Sequence, residues 1–379
     1  MSNIEIYLDN NATTKPLPDV IKSMLPILSG GFGNPSSSHS AGERVRACIK
    51  EARGQLGQLI GADPNNIVFT SSGTEANNTA FYSVTRGENE ACRILTTTVE
   101  HSSIRKMCSH LRIRGADIVL LPVDSRGNID LEELRRLLRE DIDLVSIQWV
   151  NNETGVIQPL AEIVAICHEH GRVIHTDAAQ AVGKLEMNVD HTEVDFLSLT
   201  GHKFHSPQGI GAIYCRDKFL LAPIFFGGFQ EHGFRPGTEN VSGIVGMGKA
   251  AELRRKNLKD HIRKMRELRD YFESKILESV PNTRVNGDPS NRICNTTNIL
   301  FQGIDGRILL RRLDTKGLRC SQSSACTNSQ PEPSFVLKAM GRTDMEAYSS
   351  IRFSFSVENT VQEVDRAVDL IRRTCKELR

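Results

Sequence analysis

Two short runs decide how this chain is read: Arg172-Val-Ile-His-Thr-Asp177-Ala-Ala-Gln180 and Val194-Asp-Phe-Leu-Ser-Leu-Thr200-Gly-His-Lys203. Each is an apolar strand pattern that stops at polar residues. An acid, Asp177, lies just past the first, and a lysine, Lys203, just past the second. Outward from this pair the pattern repeats. Strands are expected at 66–70, 93–97, 117–122, 144–149, 172–176, 195–200 and 211–215, with helical segments to about 85 and over 101–114, 130–139 and 160–170 between them. Alternation of this kind predicts an α/β fold, with a mostly parallel central sheet and helices on both faces. Such sheets bind ligands at the carboxyl ends of their strands. Thr74, His101, Asn152, Asp177 and Lys203 all fall there.

The flanks complete the plan. Residues 6–14 read as an extended arm ending in a polar turn, 16–30 as a helix, 30–40 as a loop and 41–61 as a charged helix. Between Leu253 and Ile276, apolar residues at 258, 262, 265, 268, 272 and 276 share one helical face, so one long linking helix is expected. After it, strands near 297–301, 319–321 and 350–356 and a closing helix from Val361 predict a smaller α+β unit. The expected division is an arm over 1–15, a large domain over 16–256 and a small domain over 257–379.

Composition narrows the function. The chain has 379 residues and a formal net charge of +1, which argues against a constitutive nucleic-acid or membrane-surface binder. No apolar run has the length of a membrane span, and the N-terminus carries no secretory pattern. Nine cysteines are scattered without a Cys-x-x-Cys pair. That favours a reducing, cytoplasmic setting and speaks against disulfide staples or a metal site.

Lys203, at a strand end beside Thr200 and His202 and ahead of Gln208-Gly-Ile-Gly, is a candidate imine-forming amine. Pyridoxal phosphate chemistry needs such a lysine, and an acid to keep the ring nitrogen protonated; Asp177 suits that task, or caps the next segment. Ser72-Gly73-Thr74-Glu75 stands at a strand-to-helix junction. Its exposed amides and hydroxyls suit a phosphate, although a serine there is also an ordinary helix cap. His101 suits ring stacking or a cap, and Asn152 and Gln180 suit ring contacts or turns. Arg352, in an alternating strand, suits an amino-acid carboxylate or a strand surface. Cys326 lies among small polar residues closed by Pro331 and Pro333, where a thiol is reactive rather than packed. Cys320 reads as a packed residue.

Together these segments resemble the NifS/IscS-type cysteine desulfurases, in the class V aminotransferase branch of the type I pyridoxal phosphate fold. The resemblance runs through Tyr7–Thr14, Thr70–Glu75, Glu100-His101, Asn151–Glu153, His175–Gln180, Gly201–Lys203, Arg235–Asn240, Ser323–Cys326 and Ile351–Phe353. It implies that Lys203 carries the cofactor, His101 stacks on it and Asp177 holds its ring nitrogen. Gln180 and Asn152 would lie against the ring, with Gly73, Thr74, Thr200 and His202 at the phosphate. Thr238 would reach the phosphate of a neighbouring subunit, which implies a homodimer. Arg352 and Asn11 would meet the substrate, L-cysteine. Cys326 would take its sulfur as a persulfide and pass it to an acceptor protein. The approach to Cys326 through Cys320 and Gln322, and the short stretch after the closing helix, depart from the family's pattern. They leave iron–sulfur cluster assembly, tRNA thiolation and DNA phosphorothioation as destinations for the sulfur. Selenocysteine lyase, cysteine-sulfinate lyase and aminotransferase chemistry share this fold, and a catalytically inactive binding protein is the alternative of a different class.

Overall fold

The computed structural model describes residues 5–86, 92–139, 141–322 and 332–379. Its strands are, in chain order, β1 (Ile6–Tyr7), β2 (Ile67–Thr70), β3 (Arg93–Thr97), β4 (Asp117–Leu121), β5 (Leu144–Ser146), β6 (Val173–Asp177), β7 (Phe196–Thr200), β8 (Gly211–Cys215), β9 (Thr283–Asn286), β10 (Thr296–Phe301), β11 (Leu318–Arg319) and β12 (Ser350–Ser354). Seven of them form the main sheet, in the order β2-β8-β7-β6-β5-β3-β4. The β3–β4, β3–β5, β5–β6 and β6–β7 pairs are parallel; β8 alone runs against its neighbours β2 and β7. The expected mostly parallel α/β sheet is therefore present, and the carboxyl ends of β2, β3, β5, β6 and β7 share one edge.

Burial explains why these runs are strands. β2, β5, β7 and β8 are buried along their whole length, as sheets covered on both faces require. A histidine in the middle of this layer is made safe by hydrogen bonding. His175, fully buried on β6, meets Ser146 Oγ and Ser198 Oγ on the flanking strands, at 2.9 Å each. Burial pushes its pKa down to about 4, against the opposing pull of Asp177, so the ring is a neutral clamp across three strands.

A second core lies under the antiparallel sheet β12-β10-β9. Phe272 packs there against Phe353 and Phe355, with ring centroids 4.8 and 5.4 Å away. The N-terminal arm joins this region: β1 pairs in parallel with β11, and Asn10 N–H donates to Ser354 O at 3.3 Å.

Three sequence expectations are corrected. The linking helix is two helices, Val241–Lys256 and Leu258–Ser279. They break at Asn257, whose φ of −121° is non-helical and whose amide donates to Leu253 O at 3.1 Å. A side chain that bonds a nearby carbonyl offers the backbone an alternative to continuing the helix. The strand expected over 144–149 pairs on both sides only to Ser146. Beyond it, Ile147 and Trp149 still donate to His175 O and Asp177 O, at 3.1 and 3.0 Å. This one-sided extension delivers Asn151 and Asn152 to the ligand edge. Strand β9, only partly buried, was not foreseen.

Candidate active site

A cavity of about 480 Å³ opens at the shared strand edge. At one end lies the helix Gly73–Thr85, which starts directly after β2. Ser72 is its cap, with Glu75 N–H donating to Ser72 Oγ at 3.1 Å. Glu75 itself turns back to Ser71 N–H at 2.8 Å and to Arg235 at 2.9 Å. The first-turn residues Gly73 and Thr74 are thus left facing the cavity, beside Thr200 and His202. Close backbone approach is built in here. A Cβ on Gly73 would come within 3.3 Å of Thr200 Cβ, and one on Gly211 within 2.5 Å of the Ser72 carbonyl carbon. Burial, then the Lys203 charge, pushes the His202 pKa down to about 4. Its ring is neutral and meets Thr13 Oγ1 at 3.1 Å through Nδ1.

The centre of the cavity belongs to the ends of β3, β6 and β7. Asp177 is buried. One of its oxygens accepts from Ala179 N–H at 2.9 Å, so it does cap the following turn; the other accepts from Asn77 Nδ2 at 2.8 Å. His101 precedes the helix Ser102–Ile113 and also caps it, its Nδ1 lying 3.2 Å from Ser103 N. Cap and cavity-facing residue are therefore the same side chain at both positions. Lys203 Nζ donates to the backbone oxygens of Asn11 and Ala12, at 2.5 and 2.8 Å. Gln180 Nε2 donates to the same Asn11 oxygen at 3.0 Å.

Behind His101 lies a fully buried carboxyl, Glu100. Thr97 Oγ1 and Gln148 N–H donate to one of its oxygens, at 2.7 and 3.0 Å; the other has no hydrogen-bond partner among the described residues. Burial, more than any neighbour, pushes its pKa up to about 8.

The opposite wall is built by β12 and the arm. Arg352 is 1 % exposed. Its Nη2 pairs with Asp9 at 2.7 Å and its Nη1 donates to Asn152 O at 3.0 Å. Asp9 also accepts from Ser321 Oγ at 2.7 Å, so one arm carboxylate holds both the buried guanidinium and the start of the segment that leads to Cys326. Cys326 itself lies outside the described residues. The Asn11 side chain is used within the protein: its Nδ2 donates to Thr296 Oγ1 and Asn152 O, at 2.8 and 3.2 Å. Thr238 is exposed and is not among the residues around the cavity. Cys320 packs against the small core, and burial, then the Asp9 charge, raises its thiol well above the usual range.

Residues 6–367 match the family model described as Aminotransferase class-V. A cysteine desulfurase of Gluconacetobacter diazotrophicus is 45 % identical over 368 residues, 97 % of this chain and 92 % of that protein. The chain belongs to the class-V aminotransferases, and within them to the NifS/IscS-type cysteine desulfurases. Its fold superposes on a solved NifS-like protein with a TM-score of 0.93 at 33 % identity, covering 99 % of this chain and 100 % of that one. A solved structure titled SspA in complex with cysteine superposes with a TM-score of 0.82 at 32 % identity, over 94 % of this chain and 100 % of that one.

Enzymes of this family use pyridoxal 5'-phosphate, and the chemistry of this cavity suits it. A buried carboxylate, a lysine amine and a helix N-terminus with small residues line one space, as a pyridinium nitrogen, an aldehyde and a phosphate require. Three contributing residues were not picked out by sequence reasoning: Asn77, Asp9 and Glu100. Asn77 follows Thr74 by three positions and so shares its helix face, a signal that was there to be used. Asp9 and Glu100 stood only inside quoted motifs, and nothing local marked them as buried.

Proposed function

We propose that this chain takes the sulfur of L-cysteine onto Cys326 as a persulfide and releases L-alanine. The observation that carries the reading is the meeting of Lys203, Asp177 and the buried Arg352 around one cavity. The cofactor, when bound, supplies the electron sink that makes the substrate Cα–H acidic and weakens the Cβ–S bond. Lys203 would hold the cofactor and, once displaced by substrate, remove the Cα proton. Asp177, fixed by Asn77, would hold the ring nitrogen. Gly73, Thr74, Thr200 and neutral His202 would donate to the phosphate, and Asn152 and Gln180 would lie against the ring.

The Arg352 fork keeps N–H groups beyond those given to Asp9 and Asn152 for a substrate carboxylate, and Asn11 would meet the substrate from the cavity floor. The Cys326 thiolate attacks the substrate sulfur. The Cβ–S bond breaks, its electron pair stays on carbon, and a proton completes alanine. His101, which lines the cavity, would donate that proton. The two sulfurs together lose two electrons, and the substrate Cβ takes them up as it becomes the methyl of alanine, so no external oxidant is needed.

The persulfide then goes to an acceptor protein of iron–sulfur assembly, tRNA thiolation or DNA phosphorothioation, in the cytoplasm. The eight described cysteines are all free, which suits a reducing compartment. A homodimer, with Thr238 completing the neighbouring site, accounts for two features of the 216–240 connection. Thr238 is exposed and does not line its own cavity, and Phe226 and Phe229 are 83 and 93 % exposed, more apolar surface than a monomer leaves bare without reason. The division into an arm, a large domain to residue 256 and a small domain from 257 has the separate core beneath β12-β10-β9 as its support. Described residues include no helix long and apolar enough to cross a membrane.

The test is a single turnover with L-cysteine. Equal amounts of alanine and Cys326-bound sulfur are expected. Alanine formed at an unchanged rate in Cys326→Ala would overturn the persulfide route and point to a sister lyase.

A further inference from the structure

Lys184 belongs to none of the roles above, yet it is 2 % exposed and lies in the turn after β6, one layer behind the cavity. No ion pair of Lys184 occurs among the described residues. Its Nζ reaches Gln180 Oε1 at 2.7 Å and Asn11 Oδ1 at 3.4 Å. The backbone oxygen of the same Asn11 takes Lys203 Nζ at 2.5 Å. Two lysine amines therefore grip one asparagine, Lys184 at its side-chain oxygen and Lys203 at its backbone oxygen.

We propose that Lys184 is a positioning residue of the cofactor site, which fixes the Gln180 amide with its NH2 end toward the cavity and sets a second positive charge beside Lys203. An ammonium group can only donate. The Gln180 atom facing Lys184 must then be the carbonyl oxygen, and the amide cannot turn over without losing that bond. Gln180 Nε2 gives one N–H to Asn11 O and keeps the other for the cavity it lines. Such a donor suits the ring oxygen of the cofactor; a turned amide would present a lone pair there instead.

The charge has a cost that packing alone would not justify. A buried unpaired ammonium is expensive, and a methionine would fill the same slot. Burial, then the Lys203 charge, pushes the Lys184 pKa down to about 7, so the two amines compete for charge, and a Lys203 nitrogen that gives up its proton leaves Lys184 the cation. The groups that face it from other elements are mostly cationic: Lys203 after β7, Arg254 of the helix Val241–Lys256 and Arg352 of β12. Cys294, just before β10, is the one group that favours its charge. A cation kept here against such company has a use if it disfavours a proton on the nearby Lys203 nitrogen, readying that nitrogen for exchange with an incoming amine.

The proposal rests on Lys203 being the cofactor lysine. It is tested on purified chain loaded with pyridoxal phosphate, by comparing wild type, Lys184→Met and Lys184→Gln. The readouts are the affinity for pyridoxal phosphate and the pH midpoint of the visible band of the Lys203-bound form. Lys184→Met is expected to weaken binding roughly tenfold and to raise the midpoint by about one pH unit, the size of shift a single nearby charge produces. Lys184→Gln restores a neutral hydrogen bond to Gln180, so it should recover the affinity and keep the raised midpoint. If Lys184→Met does not fold, the midpoint of Lys184→Gln decides. Folded variants with wild-type affinity and an unmoved midpoint overturn the proposal. A wild type that shows no visible band with pyridoxal phosphate, by contrast, refutes the Lys203 reading and not this one.

Discussion

Asn11 and Asp9 stand two residues apart on the arm and hold opposite sides of the cavity. Asn11 faces the strand-edge floor: its backbone oxygen takes Lys203 and Gln180, and its side-chain oxygen takes Lys184. Asp9 faces the β12 wall: it pairs with Arg352 and accepts from Ser321. The floor is made of strand ends from one buried sheet, so its geometry follows from the fold. The wall is held by a carboxylate on an arm, so its geometry depends on one ion pair. The comparison suggests a division of labour in which the floor holds the cofactor and the wall places the substrate and the sulfur-accepting cysteine.

Substitutions can break that division or sharpen it. Lys203→Ala should remove the floor's covalent anchor, abolishing the visible band and lowering alanine formation by at least about a thousandfold. Cys326→Ala should leave the band intact and lower persulfide formation by at least about a hundredfold; loss of the band in this variant would mean that the two sides are not separate. Arg352→Met should raise the KM for L-cysteine by roughly tenfold to a hundredfold, the value of a charge-assisted hydrogen bond, with the affinity for pyridoxal phosphate unchanged. Asp9→Asn leaves the buried Arg352 without its carboxylate. It should lower stability by about 3 kcal/mol, as breaking a buried pair does, measurable as a fall in the denaturant midpoint.

A pH dependence is expected of the floor. Folded, Glu100 keeps its proton up to about pH 8; its ordinary value is 4.5. Between these values folding takes up a proton, so the contribution of Glu100 to stability is full below the lower value and declines as the pH rises through the window. Glu100→Gln should therefore flatten the fall in stability of the wild type across that range, seen in denaturation midpoints measured from acid to neutral pH. An unchanged slope would show that Glu100 is not held protonated.

Much of the floor was legible in the sequence, because buried parallel strands are short apolar runs and their ends are marked by a change to polar residues. Asp177, Lys203, His101 and Gly73-Thr74 could be placed at one edge on that ground alone. The wall was not legible in the same way. Asp9 and Arg352 are 343 positions apart, and no local pattern pairs them. Asn11 lines the cavity, and its side chain is also held by Thr296 and Lys184, a fact that only the assembled arm reveals. Lys184 read as one more polar residue of a turn, since burial of a lone lysine leaves no trace in periodicity. The break at Asn257 was missed because the apolar stripe of the second helix continues the phase expected of one long helix.

The most direct test of the central claim is mass spectrometry of the cofactor-loaded chain after one equivalent of L-cysteine, with peptide mapping. The account predicts one additional sulfur atom on Cys326 and an equal amount of alanine, both absent in Lys203→Ala. Alanine formed without sulfur on Cys326, or sulfur on that residue without Lys203, would contradict it.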